Sequence, residues 1–224
     1  MSAVQKIIKY CAIGLAAAII VGIFSAILAG GFGIAKITDY IKGNQTEVVC
    51  ETEPCLKVAL GRADLEIKKG EKLAAETNYS KVEIKQDGNK VLIEEKDGDW
   101  FNSEDRVITV TVPEDLEFEA VGISGGVGKA NIEFLKAKNL ELSLGVGETN
   151  IVALDIQNAK INTGVGALNL NLVGTEQDYE IKVSHGIGDI KVNDKELGRD
   201  TVLGAGKNKV EINGGIGEVI VKTK

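Results

Sequence analysis

A chain of 224 residues with 44% hydrophobic side chains, 27 glycines and only two prolines carries too much patterned apolar sequence for a disordered polymer, and enough for one packed domain plus an appendage. Its formal net charge of −7 is uneven: residues 1–42 hold Lys6, Lys9, Lys36 and Lys42 against Asp39, or +3, leaving −10 for the remainder. An acidic body with no basic stripe excludes nucleic acid as a partner.

Residues 10–35 are uncharged. As a helix rising about 1.5 Å per residue they would reach about 39 Å, enough to cross a bilayer with tilt. The apolar core of a cleaved signal peptide is shorter, about 7–15 residues. The segment is therefore expected to be an uncleaved transmembrane helix after a short tail, 1–9, with a cleaved leader ending near the small residues 29–31 as the rival. Lysines flank both ends, so the positive-inside count is nearly tied. Asp39 and the acidic domain favour a single-pass protein of the cell membrane with its domain outside. Gly14, Ala18, Gly22, Ala26 and Gly30 recur every four residues and form a candidate helix-packing face. The lipid bilayer is thus an expected partner, and a homo-oligomer through this helix a further one. Cys11 stands at the helix edge, where an inert membrane cysteine is the simplest reading.

Residues 36–56 are polar and aperiodic, a juxtamembrane linker. Cys50 and Cys55 bracket Glu51, Thr52, Glu53 and Pro54, a spacing that admits a small disulfide loop, stable only on the oxidising side of a membrane. Two free thiols are the alternative. No further ligand is close enough in sequence for a metal site.

From 57 to 224 the chain reads as β repeats. Residues 61–67, GRADLEI, align with 128–134, GKANIEF, as a degenerate first coil, placing Ala63 on Ala130 and Leu65 on Ile132. A hairpin follows, with Val82 and Ile84 on one arm, Val91 and Ile93 on the other, and Asp87-Gly88 between. The loop 96–105, KDGDWFNSED, precedes an alternating strand, 106–112, that stops at Pro113. Then one phrase returns in register: GVGKANIEF, GVGETNIVA and GVGALNLNL, with glycine pairs at 126/128, 145/147 and 164/166, a period of 19. Looser copies stand at 186/188 and 215/217. A repeat of that length signals a solenoid.

Side-chain parity gives the faces. Ala130, Ile132 and Phe134 superpose on Thr149, Ile151 and Ala153, and on Leu168, Leu170 and Leu172, as one wall of a core. Leu140, Leu142 and Leu144, with Ala159, Ile161 and Thr163, form another. Val127, Val146, Val165, Ile187 and Ile216, each between glycines, are expected to point inward at corners. Asn131, Asn150 and Asn169 are expected to stack as an outer amide ladder. Residues 174–179 and 193–209 should hold a bulge and a loop or hairpin. Residues 214–224 should supply the final strand, with Lys222 and Lys224 blunting an exposed end.

Little of this is catalytic. His185, the only histidine, adjoins Ser184, but neighbours in a strand face opposite ways and no third group is indicated. The Gly-x-Gly pairs lack the third glycine and strand-to-helix setting of a dinucleotide loop. Asp97, Asp99, Asn102 and Glu104 supply oxygen ligands without EF-hand spacing. Neither enzyme activity nor a cofactor is expected. Trp100 and Phe101, adjacent aromatics in an acidic loop, are the candidate partner contact; a fold-back onto the hairpin is the alternative.

The anchor, the early coil, the strand leading into VTVPEDLEFEAVGISGGVG and the ladder of G-(V/I)-G units resemble the bacterial β-strand-repeat family labelled putative adhesin, also called toastrack domains. The resemblance covers about residues 56–224 and is most characteristic over 107–153. It implies an all-β, single-stranded, right-handed β-helix-like solenoid, tethered to a membrane and associated with envelope-stress signalling or surface roles, with no catalytic residues to carry over. The expected function is to bind or scaffold envelope proteins or polymers. The alternative is a self-associating surface protein that assembles through coil stacking and helix pairing.

Overall fold

The computed structural model describes residues 53–96 and 106–224, all within one compact unit, Glu47–Lys224. The expected transmembrane segment with its packing face, Cys11, Cys50, and the loop holding Trp100 and Phe101 lie outside the described residues. No helix among the described residues is long and apolar enough to cross a membrane.

In chain order the strands are β1 (Cys55–Arg62), β2 (Asp64–Lys69), β3 (Ala74–Thr77), β4 (Val82–Asp87), β5 (Lys90–Glu95), β6 (Val107–Val112), β7 (Phe118–Val127), β8 (Ala130–Ile132), β9 (Leu135–Val146) and β10 (Thr149–Leu172). After a 3-10 turn at Glu176–Asp178 come β11 (Tyr179–Ile187), β12 (Ile190–Val192), β13 (Lys195–Leu197), β14 (Thr201–Leu203) and β15 (Asn208–Thr223). All belong to one 15-stranded sheet. Its repeat coils pair in parallel and in the register the period requires: Val127 opposite Val146, Val146 opposite Val165, Val165 opposite Ile216, and Ile216 opposite Ile187.

That register stacks like on like inside the coils. One inward column runs Val58, Ile123, Leu142, Ile161, Ile212 and Val183, all buried. Another carries Ile67, Ile132 and Ile151, and, in the next coil and beyond, Leu170, Val221 and Val192. Each such side chain contributes about 1.5–3 kcal/mol through burial, so the columns supply the driving force for stacking. Of the nine positions expected on the wall that holds Ile132, Ile151 and Leu170, seven are buried; Phe134 and Ala153 are half-buried.

The order of coils in space is not their order in sequence. β15 lies between β10 on one side and β11 and β12 on the other, so residues 214–224 are interior and do not form an exposed end. Lys222 sits beside Asp194 at 3.8 Å, and the Lys224 N–H donates to Leu172 O at 3.1 Å. The first coil behaves likewise: β1 lies between β5 and β7, and β2 between β6 and β8. The outermost strands, β4 and β3 at one end and β14 and β13 at the other, are antiparallel to their neighbours. Hairpins therefore close both ends of the parallel stack.

Local chemistry explains the interruptions. The β12–β13 hairpin turns through Asn193 and Asp194, both at positive φ (48° and 63°), the conformation a two-residue hairpin turn needs and these residue types tolerate. The β4–β5 turn is centred on Gly88-Asn89, one residue later than expected, with Gly88 at φ 56°. The expected bulge after 174 is the 3-10 turn, capped by Thr175 and Asp178. The first coil pairs Leu65 with Ala130 and Ile67 with Ile132, two residues from the expected alignment. Because strand faces alternate with a period of two, that slip leaves every side chain on its expected face.

Candidate functional site

The outer surface of the stack is organised in columns, and three carry its recognisable chemistry. On the wall built from β1, β7, β9, β10, β15 and β11, one column reads Lys57, Gly122, Glu141, Lys160, Glu211 and Lys182. Charge alternates along it from Glu141 onward. Beside it run Ser124, Ser143, Asn162, Asn213 and Ser184 in register. Here the amide ladder forms: Asn162 Nδ2 donates to Ser143 Oγ at 3.1 Å, and Asn213 Nδ2 to Asn162 Oδ1 at 3.0 Å. A second rung joins Asn158 Nδ2 to Asn139 Oδ1 at 3.3 Å. Asn131 and Asn150 do stack in register, but the hydrogen-bonded ladder occupies these other columns.

The third column is the corner. Val127, Val146, Val165, Ile216 and Ile187 are 39%, 48%, 46%, 51% and 62% exposed; they face solvent, and the expectation that they point inward is overturned. The bend is crowded beside two of these corners. Leu144 reaches over Gly125, and His185 covers Gly214, so closely that a Cβ on either glycine would press into the neighbouring side chain. Glycine columns line both flanks because the coils approach too closely for side chains. At Gly147 (φ 147°) and Gly166 (φ 145°) a Cβ would run into the carbonyl oxygen of Gly128 and Gly147 respectively, a conformation and a contact only glycine accepts. The result is an aliphatic ridge standing between two bare furrows.

The other sequence-selected groups are structural where they are described. His185 is buried, with Nε2 at 3.0 Å from Gly217 O, which fixes the ring with Nε2–H donating; Ser184 faces the outer column. Cys55 is buried and disulfide-bonded; its partner cysteine lies outside the described residues. Among the described residues no group of His, Cys, Asp and Glu could hold a metal ion.

Two features escaped the sequence reading. Arg106 and Glu95, which bracket the loop 97–105, form an ion pair of 2.9 Å with side chains 2% and 4% exposed. Tyr179, buried at the start of β11, donates to Val173 O at 2.6 Å. Burial, and then the nearby Asp155 and Asp178, push its phenol up to about 12. The first depends on how β5 and the start of β6 are brought together, and the second on how the chain turns between Val173 and Tyr179.

The stacked coils and hairpin caps define an all-β repeat domain of solenoid type. Over residues 136–193, from β9 to the turn after β12, the sequence matches the family model described as the N-terminal domain of toast_rack, DUF2154. The structure is similar to a crystal structure of a putative cell adhesion protein from Clostridium sporogenes ATCC 15579, at TM-score 0.56 and 16% identity, with 76% of this chain and 92% of that one covered. A putative adhesin from Bacteroides fragilis NCTC 9343 matches at TM-score 0.35 and 16% identity, covering 76% and 93%. No curated protein matches. At 16% identity the first of these likenesses is one of fold.

Proposed function

We propose that the chain is a non-catalytic β-repeat protein displayed on the outside of a bacterial cell, held by a single transmembrane helix over residues 10–35, and that it binds or scaffolds components of the envelope. The observation that carries this reading is the division of labour within the coils: inward columns are filled with aliphatic packing, while polar, charged and apolar columns are displayed along the outside. The fold it shares with the putative cell adhesion protein from Clostridium sporogenes supports the same reading. Adhesion and envelope-stress signalling are the two roles such a display would serve, with Trp100 and Phe101 as the candidate partner contact and a Cys50–Cys55 disulfide closing the linker.

Protease added to intact cells tests the placement. Loss of the domain, with the amino-terminal segment retained in the membrane fraction, is the expected result. A domain that is protected until the cells are lysed would overturn it. Iodide quenching of Trp100 fluorescence, lost when an envelope fraction is added, tests the contact.

A further inference from the structure

β15, the last coil to be synthesised, lies between β10 and β11, two strands made before it. The strands β11–β14 pair only among themselves and with β15. A stack built in sequence order would instead set β11 directly on β10. The repeat permits either order, because β10, β11 and β15 carry the same stacking positions.

One rung distinguishes them. Two residues before the corner apex, the positions run Leu60, Gly125, Leu144, Thr163, Gly214 and His185 in spatial order. Where a large side chain leans over the preceding coil, that coil supplies a glycine: Gly125 beneath Leu144, and Gly214 beneath His185. A Cβ on Gly214 would run into His185 Nδ1 and stand 3.0 Å from Cε1. The ring has little freedom to move aside. It is buried, Nε2 is held 3.0 Å from Gly217 O, and a Cβ on Gly188 would stand 2.9 Å from the same nitrogen.

In sequence order the residue beneath the ring would be Thr163, the partner of Gly214 in register, which brings a Cβ and two further heavy atoms into that space. Extra atoms forced into a packed site displace side chains or backbone. The hydrogen bond would not discriminate, since Gly166, the partner of Gly217, would offer an equivalent carbonyl. Space does.

We propose that His185 is a positioning residue which accepts only a glycine in the coil beside it, and so directs the carboxyl-terminal coil into the slot between β10 and β11. The sequence-order stack, which the chain can build before residues 208–224 exist, is thereby disfavoured. This selection rests on packing within the coils and holds wherever the chain is located.

Paired cysteines in the full chain, oxidised mildly in detergent and mapped by mass spectrometry, read the order directly; the parent chain's own cysteines set the background. Adjacent coils are about 4.8 Å apart and alternate ones about 9.6 Å, whereas a disulfide spans at most about 7 Å between Cα atoms. Lys160 and Lys182 stand on either side of Glu211. Replacing both with cysteine also removes the charges that oppose their approach. Lys160→Cys with Glu211→Cys should form a disulfide, and Lys160→Cys with Lys182→Cys should not. Adding His185→Ala to the second pair is expected to produce the 160–182 disulfide in a substantial fraction of chains. Thr163→Gly, which leaves His185 in place and gives β10 the missing glycine, should do the same and repeats the test if the alanine variant misfolds. Leu142→Ala, which opens a cavity at a buried position of β9 and destabilises without touching this rung, should not. A 160–182 disulfide with His185 and Thr163 both intact, its absence from both the His185→Ala and Thr163→Gly chains, or an equal yield in the Leu142→Ala chain would each overturn the proposal.

Discussion

Arg106 Nη1 donates to Glu95 Oε1 at 2.9 Å across the base of the loop that separates them in sequence, and the other carboxylate oxygen of Glu95 accepts the backbone N–H groups of Gly61 at 2.6 Å and Arg62 at 3.1 Å. The guanidinium also lies 4.2 Å from the centroid of the Tyr79 ring. One carboxylate thus joins β5, β6 and the first corner of the coil stack.

Arg106→Met should destabilise the domain by about 3–5 kcal/mol, the cost of leaving a buried charge without its partner. Arg106→Lys should lose less, since it keeps the charge while giving up the planar fork and ring contact. Urea denaturation of the two variants checks the order. Equal losses would mean that packing, and not charge, is what Arg106 supplies.

Gly166→Ala places a methyl group at φ 145° and against Gly147 O. Strain of about 1–3 kcal/mol for the backbone conformation adds to the displacement of a neighbouring coil, so a loss above about 2 kcal/mol is expected. Gly198 is the control: nothing lies within 4 Å of its Cβ position, and Gly198→Ala should be neutral or slightly stabilising. Thermal melts of the two variants, measured together, decide whether the glycine columns are demanded by close stacking.

The inward columns were legible because parity and period each point to them: Ile132 and Ile151, or Leu142 and Ile161, can be superposed from the sequence alone. Val127 and its equivalents were not, since parity continues inward through Ile123 while the bend between the flanking glycines leaves the apex outward. The loop contact proposed for Trp100 lies outside the described residues, so the ridge, which sequence assigned to the core, is the exposed candidate the fold itself supplies. The place of β15 was hidden for a different reason. A repeat specifies which positions stack on which, but every coil obeys the same rule, so the order of coils is open.

The charge column beside the amide ladder agrees with the observed order. Placed in sequence order, the coil of β11 would follow that of β10 and set Lys182 beside Lys160; the observed order puts Glu211 between them. Glu211→Lys makes three consecutive lysines in that column. Like charges directly opposite in a sheet destabilise by about 0.2–1 kcal/mol per pair, so a loss of about 1 kcal/mol is expected, partly recovered in high salt as screening weakens the repulsion. Glu211→Gln should cost less and show little salt dependence. Denaturation curves at low and high salt separate this from a loss of the Asn213 Nδ2 contact to Glu211 Oε1 at 3.3 Å, which would respond to neither.

Tyr179 makes the domain sensitive to alkali. Its phenol is pushed up to about 12 by burial and then by Asp155 and Asp178, against an ordinary value of about 10 in the unfolded chain. Between these values the unfolded state has released its proton and the folded state retains it, so the folded state binds more protons and stability falls as pH rises. The contribution is intact below about pH 10 and lost through about pH 12. Tyr179→Phe should therefore flatten the fall in melting temperature across that window. At neutral pH the same variant should cost about 1 kcal/mol, because the hydrogen bond to Val173 O is removed. An alkaline fall as steep in the variant as in the parent would assign the sensitivity to the lysines, whose ion pairs with Glu119 and Glu218 also weaken at high pH.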